Sequence, residues 1–241
     1  MSDAFSIGST GVSAYQRALG TVSNNIANVS TDGYSRQEAS LVTNTAMRDG
    51  INYLGTGARF DSVKRQYDAF IESNLRHSQS DLQTQDPILT YANRLIDIMG
   101  DESIGLTSAL NTFFESARNL SSDPVSAVQR GLFLRDAADV ASRFQQLSTQ
   151  TKLLDGETEY ALETNVNELN ALTHQIAYVN SQLMRVTLAD RQPPELMDQR
   201  DLLLRKLSEL TKFNASFAPN GEVKVSLGDT IDQGVPVDGK E

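Results

Sequence analysis

The chain has 241 residues, 39% of them apolar, with no cysteine and no tryptophan, so a disulfide framework and a thiolate metal site are both excluded. Its 31 acidic residues against 21 Lys and Arg leave a net charge of -10, which repels phosphate backbones and argues against nucleic acid as a partner. No apolar run approaches the roughly 18 residues a membrane-spanning helix needs, and no basic segment followed by an apolar run opens the chain, so neither membrane nor general secretory signal is expected.

The charge is unevenly placed. Residues 1 to 36 hold only Asp3, Arg17, Asp32 and Arg36, which cancel, and such a segment can pack among copies of itself without electrostatic cost. Within it Phe5, Gly8, Val12, Tyr15, Leu19, Val22, Ile26 and Val29 recur at steps of three and four, the spacing of a helix with one apolar seam. An ordinary amphipathic core helix has the same pattern. No partner for the stripe stands in the adjacent sequence, and a lone helix rich in Ser, Thr, Asn and Gly is marginal in water. Residues 1 to about 30 are therefore expected to be mobile in the isolated chain.

The segment leaves its helix through NNIANVSTDGYSRQ, residues 24 to 37. Asn24, Asn25 and Asn28 bring donors and acceptors to a helix end whose carbonyls lack partners. Asp32 and Gly33 make a sharp turn for which Gly33 supplies a positive φ. Tyr34 gives an amphipathic anchor and Arg36 a fixed charge. Together these residues read as a joint between two rigid pieces.

From 35 to 64 the helical period disappears, and Gly50, Gly55 and Gly57 punctuate EASLVTN and ARFDSV, an extended region in the form of a long hairpin. Helical spacing resumes near Tyr67. Leu82, Gln85, Leu89, Ala92, Ile96 and Met99 predict a helix ending at Gly100, with Pro87 in a new first turn and Asp86 as its cap. Leu106, Leu110, Phe113, Ala117 and Leu120 mark the next helix, closed by SSDP, where Asp123 caps and Pro124 opens a further helix. Heptad register then holds from Phe133 through Phe144 to Leu154, and from Leu162 through Val166 and Asn180 to Leu183. Unbroken, residues 124 to 188 make a rod of roughly 97 Å, unless Gly131 or Gly156 divides it. Pro193 and Pro194 end the run, and Leu196, Arg200, Leu203, Leu207 and Leu210 place a last helix. FNASFAPNGEVKVSLGD switches to period two around Pro219, Asn220 and Gly221, a hairpin. The fold class is mainly α: an elongated antiparallel bundle of long helices, or coiled coil, with short β-hairpin regions. Three parts are expected, an N-terminal helix and joint over 1–34, a long-helix body over 35–212 and the start of a β-rich domain over 213–241.

Chemistry is sparse. His77 and His174 lie almost a hundred residues apart with no cysteine to join them. LGTGARF and GSTG lack the P-loop lysine and the spacing of a dinucleotide turn, and read as turns or, at Gly8 and Gly11, as close helix packing. Glu195, Asp198 and Asp201 beside Arg200 stand near a helix start, where acidic residues favour the dipole. No nucleophile, base and orienter occur at a meaningful spacing, so no enzyme, cofactor or metal is expected.

NNIANVSTDGYSRQ resembles the N-terminal signature of the axial proteins of the bacterial flagellum, the rod, hook and hook-associated proteins, and its GYSRQ ending is most similar to the hook-associated members. VKRQYDAFIESNLR (63 to 76), DPVSAVQRGLFLRDA (123 to 137) and LMDQRDLLLRKL (196 to 207) resemble the same family, in order. The resemblance implies a structural subunit that joins hook to filament and forms a ring with copies of itself. Its implied partners are the flagellar hook protein, the next hook-associated junction protein and the flagellar type III export apparatus, and its implied location is the extracellular flagellum. It also implies that the first helix pairs with a C-terminal helix in an inner tube, making Phe5, Val12, Tyr15, Leu19, Val22, Ile26 and Val29 an assembly seam, with the helical body in the next layer outward. A distal rod or hook subunit is the alternative, but that likeness is confined to the first segment; an exported effector or adhesin has no reason to match the signature. Family members are considerably longer, so the chain is expected to be an N-terminal part, and functions of the family's C-terminal helix do not carry over.

Overall fold

The computed structural model describes residues 4–100, 106–186, 188, 191–227 and 236–237. In chain order these form α1 (Ala4–Ala27), β1 (Gln37–Thr43), β2 (Met47–Asp49), β3 (Asn52–Leu54), β4 (Ala58–Arg65), α2 (Ala69–Gly100), α3 (Leu106–Ser122), α4 (Ala127–Leu183), α5 (Pro194–Ser208), β5 (Phe213–Phe217), β6 (Val223–Leu227) and β7 (Pro236–Val237). The protein is mainly α with short antiparallel strand pairs.

Residues 37 to 65 form the expected long hairpin. β1 pairs antiparallel with β4 from Gln37 opposite Arg65 to Thr43 opposite Ala58, with a register shift after Ser40, and β2 pairs with β3 beyond it. Two helix starts differ from expectation. α2 begins at Ala69 because Asp68 Oδ1 accepts the backbone N–H groups of Phe70 (2.9 Å) and Ile71 (3.1 Å), the work of an N-cap. It then runs through Pro87, so Asp86 caps nothing. A proline inside a helix forfeits one ladder bond at about 3 kcal/mol or more, which the cooperativity of a 32-residue helix absorbs. Likewise Asp123 and Pro124 stand in a turn rather than at the start of α4: Ser126 N donates to Asp123 O, Arg130 Nε and Nη2 hold Pro124 O, and Ser126 Oγ caps by accepting Gln129 N at 3.3 Å. α4 then continues for 57 residues, dividing at neither Gly131 nor Gly156 and ending at Leu183 rather than 188.

The contacts divide the chain into two units, Met1–Gln83 with Leu169–Glu241, and Thr84–Glu168. In the first unit the core joins Leu172, Ile176, Val179 and Leu183 of α4 to Leu203, Leu204 and Leu207 of α5 and to Phe213, Val223 and Val225 of β5 and β6. Asn180, in the heptad register, is fully buried; its Nδ2 donates to Val223 O (2.7 Å) and its Oδ1 accepts Val223 N (3.2 Å). The amide thus pairs with strand backbone and fixes β6 against α4 without leaving a polar group unsatisfied. In the second unit Phe113 of α3 packs on Phe133 of α4, ring centroids 5.1 Å apart, while Phe144 and Leu162 of the heptad run stay exposed. Heptad spacing puts residues on one face; it does not supply a cover for that face. The expected β-rich part over 213–241 falls within the described residues only at 213–227 and 236–237, and the chain end at Glu241 lies outside them.

Candidate assembly surface and joint

α1 has two unlike faces. Toward β1 and β4 it presents Ile7 and, beyond it, the small or polar Thr10, Ala14, Ala18 and Thr21, of which Ala14 (2% exposed) and Thr21 (7%) are buried. Gly57, at φ +97, makes this close approach possible: a Cβ there would overlap Thr10 Oγ1 and stand 3.2 Å from Ile7 O. Gly8 and Gly11, expected to mark close helix packing, face open space. The other face carries Phe5, Val12, Tyr15, Leu19, Val22 and Ile26, continued by Val29 in the turn beyond the helix, all 50–82% exposed. So the helix has a partner in its own chain, which it meets mainly with its small side chains. The large ones point outward.

The joint explains its crowd of amides. Asn25 uses its whole side chain: Nδ2 donates to Gln37 O (2.8 Å), and Oδ1 accepts Gln37 N (2.8 Å) and the Tyr34 hydroxyl (2.9 Å). The end of α1 is thereby tied to the first residue of β1. Asn28 Nδ2 turns back to Asn24 O (3.0 Å) and Oδ1 (2.9 Å), a second bond to a carbonyl that also accepts Asn28 N (3.0 Å). Asn24 Nδ2 in turn donates to the Tyr34 oxygen at 3.3 Å. Gly33 sits at φ +76 with Leu202 of α5 directly above it. Asp32 and Arg36 are not buried, and no hydrogen bond or ion pair of the Arg36 side chain occurs among the described residues.

The cation that fastens the joint is Arg65. Its guanidinium forks to Asp198 (2.7 Å) and Asp201 (2.8 Å), all three side chains no more than 8% exposed. Asp198 Oδ2 also accepts Ser35 N at 3.2 Å, Gln37 Nε2 donates to Glu195 at 3.2 Å, and Arg200 pairs with Asp201 while its Nη1 donates to Gly221 O. Fork geometry of this kind makes strong, directional charge-assisted bonds. Asp198 and Asp201 are therefore ion-pair partners and not dipole caps; only Glu195 lies in the first turn of α5. Burial, then the charges of Asp198 and Glu195, push the Tyr34 hydroxyl above its usual pKa. Arg65, Gln37 and the two aspartates were missed as joint residues, although Arg65 and the aspartates lie in the blocks at 63 to 76 and 196 to 207, and the three-residue step from Asp198 to Asp201 puts both on one helix face. His77 and His174 are exposed, and no group of metal-ligating side chains occurs among the described residues. Nor is any described helix long and apolar enough to cross a membrane.

Residues 5–34, which hold most of α1 and the joint's turn, match the family described as Flagella basal body rod protein. Residues 92–238, more than half of the chain, match Flagellar hook-associated protein FlgK helical domain. The chain belongs to this hook-associated family. Flagellar hook-associated protein 1 of Salmonella typhimurium (strain LT2) is 29% identical over 229 residues, 93% of this chain and 41% of that protein. The protein of the same name in Bacillus subtilis (strain 168) is 31% identical over 219 residues, 87% of this chain and 43% of that protein, and that of Escherichia coli (strain K12) is 26% identical over 220 residues, 90% of this chain and 40% of that protein. The chain thus spans about two-fifths of the length of the curated relatives it matches.

Proposed function

We propose that the chain acts as a structural subunit of the bacterial flagellum at the junction of hook and filament, without catalysis. The observation that carries this reading is the outward apolar stripe of α1. A helix that turns mainly small residues to its own chain and offers six large ones to solvent, with Val29 just beyond it, buries that apolar surface only when another surface covers it. Copies of the chain in a ring, the hook protein and the next hook-associated junction protein are the neighbours this reading supplies, with delivery through the flagellar type III apparatus. Phe5, Val12, Tyr15, Leu19, Val22, Ile26 and Val29 serve as the seam. Asn24, Asn25, Asn28, Asp32, Gly33, Tyr34 and Arg36 serve as the joint that sets its direction. The likeness of residues 5–34 to rod proteins supports a second reading, a distal rod or hook subunit. Electron microscopy of flagella from a strain lacking the protein separates the two: hooks that end without filaments support the junction, and missing hooks support the rod or hook reading.

A further inference from the structure

In the unit formed by residues 1–83 and 169–241, four guanidinium groups gather around α5 and the start of α2, and three carboxylates answer them. Arg65 binds Asp198 and Asp201, Arg200 binds Asp201, and Arg205 binds Glu72. Arg76 is the cation left over. It is 6% exposed, it appears in no ion pair among the described residues, and its Nη1 is buried without a hydrogen-bond partner. Its ring contact, to Phe217 at 5.9 Å, is shared with Arg200 at 4.9 Å. The Tyr67 hydroxyl interacts with Arg76 but is itself buried outside hydrogen-bond geometry, and a phenol offers a dipole and no charge. A guanidinium cannot escape burial by losing its proton, so a site that keeps one dry calls for an anion.

Arg76 borders a cavity of about 60 Å³ with Ser73, His77, Ser80, Lys212 and Asn214. Ser80 Oγ donates to Thr211 O (3.3 Å) and His77 Nδ1 lies 2.7 Å from Ser73 O, so the positive charge of Arg76 and Lys212, rather than a full set of open donors, marks the space, and no carboxylate lines it. Asp81 reaches only the rim, 3.8 Å from Lys212 Nζ. We infer that this cavity between α2 and β5 binds a small oxyanion, a carboxylate, sulfate or phosphate group, with Arg76 as its main ligand. The group comes either from a free anion or from an acidic side chain of a second copy of the chain; only the second source rests on the proposed assembly role.

The test uses the whole 241-residue chain. Sodium phosphate and sodium sulfate are titrated against chloride at constant ionic strength, which separates binding from screening, while amide NMR shifts are followed. Saturable shifts confined to residues 73–80 and 212–215, with affinity reduced at least about tenfold by Arg76→Gln, are expected. Lys212→Ala, at the exposed rim, is expected to weaken binding less and serves if Arg76→Gln does not fold. In the second arm, sedimentation in anion-poor buffer looks for self-association that phosphate competes away and Arg76→Gln abolishes, which assigns the anion to a second copy. Shifts that merely follow ionic strength, or equal responses in the wild type and both variants, overturn the site.

Discussion

A side chain at Gly33 meets two obstacles that the structure lets us weigh separately. The first is conformational: at φ +76 a residue other than glycine loses about 1–2 kcal/mol, with Asn losing least. The second is steric, since a Cβ would stand 3.0 Å from Leu202 Cβ and 3.2 and 3.3 Å from its two methyl carbons. Overpacking of that kind adds about 1–3 kcal/mol in a tight site, and toward the lower end here because Leu202 is only half-buried and can yield. Gly33→Ala is therefore expected to cost about 2–4 kcal/mol, Gly33→Asn somewhat less and Gly33→Val more. Asn meets the same Leu202 contact, so it is not neutral. Native-state hydrogen exchange at the Gln37 amide, which Asn25 protects, reads the joint locally. Leu202→Ala added to Gly33→Ala should recover the steric share and leave the conformational one. Unchanged protection in the Ala and Val variants, or no recovery on trimming Leu202, would refute the argument.

Arg65→Met leaves Asp198 buried without its cation and is expected to cost about 3–5 kcal/mol; urea unfolding of the single and the Arg65→Met/Asp198→Asn variants should show the second change restoring at least half, and strictly additive losses would show that the pair does not interact. Tyr34 and Tyr67 are both raised from the usual value of 10.0, chiefly by burial and next by nearby carboxylates. Folding therefore favours their protonated forms, and the stability this lends is complete below pH 10 and lost as pH rises through the raised values. An ultraviolet titration should lose its most alkaline component in Tyr34→Phe and in Tyr67→Phe; loss of amplitude near pH 10 alone would contradict the shift. Because α1 packs on the hairpin, amides from Ala14 to Asn25 should be protected from exchange in a dilute monomer, and fast exchange throughout that stretch would return the helix to the mobile state expected from sequence.

Much of the fold was legible because the relevant signals are local. The three-four spacing of α1, the glycines of the hairpin and the proline pair before α5 each act through neighbouring residues, and each element formed where they pointed. Boundaries failed where a strong local signal met a competitor: Pro87 suggested a new helix, but the surrounding helix carried it, and Asp68 did the capping instead. The stripe of α1 was readable, but its back face was not, since Ala14 and Thr21 look like filler until Gly57 brings the hairpin against them. The joint was half legible. Asn25, Gly33 and Tyr34 act within a dozen residues of one another, whereas Arg65 and Asp198 meet across 133 positions, and only the folded chain brings those two charges together.

The central claim is that the outward stripe of α1 exists to be covered by other subunits. Its most direct test places Leu19→Asp and Ile26→Asp together in the protein of a flagellated strain. Both side chains are exposed, 64% and 69%, so the purified variant should match the wild type in helicity and unfold within about 0.5 kcal/mol per site of it. In the assembled seam, two buried unpaired carboxylates would each cost several kcal/mol. The account predicts a folded, soluble protein that is absent from isolated flagella, on cells that do not swim. Normal incorporation and motility with both aspartates in place would contradict it.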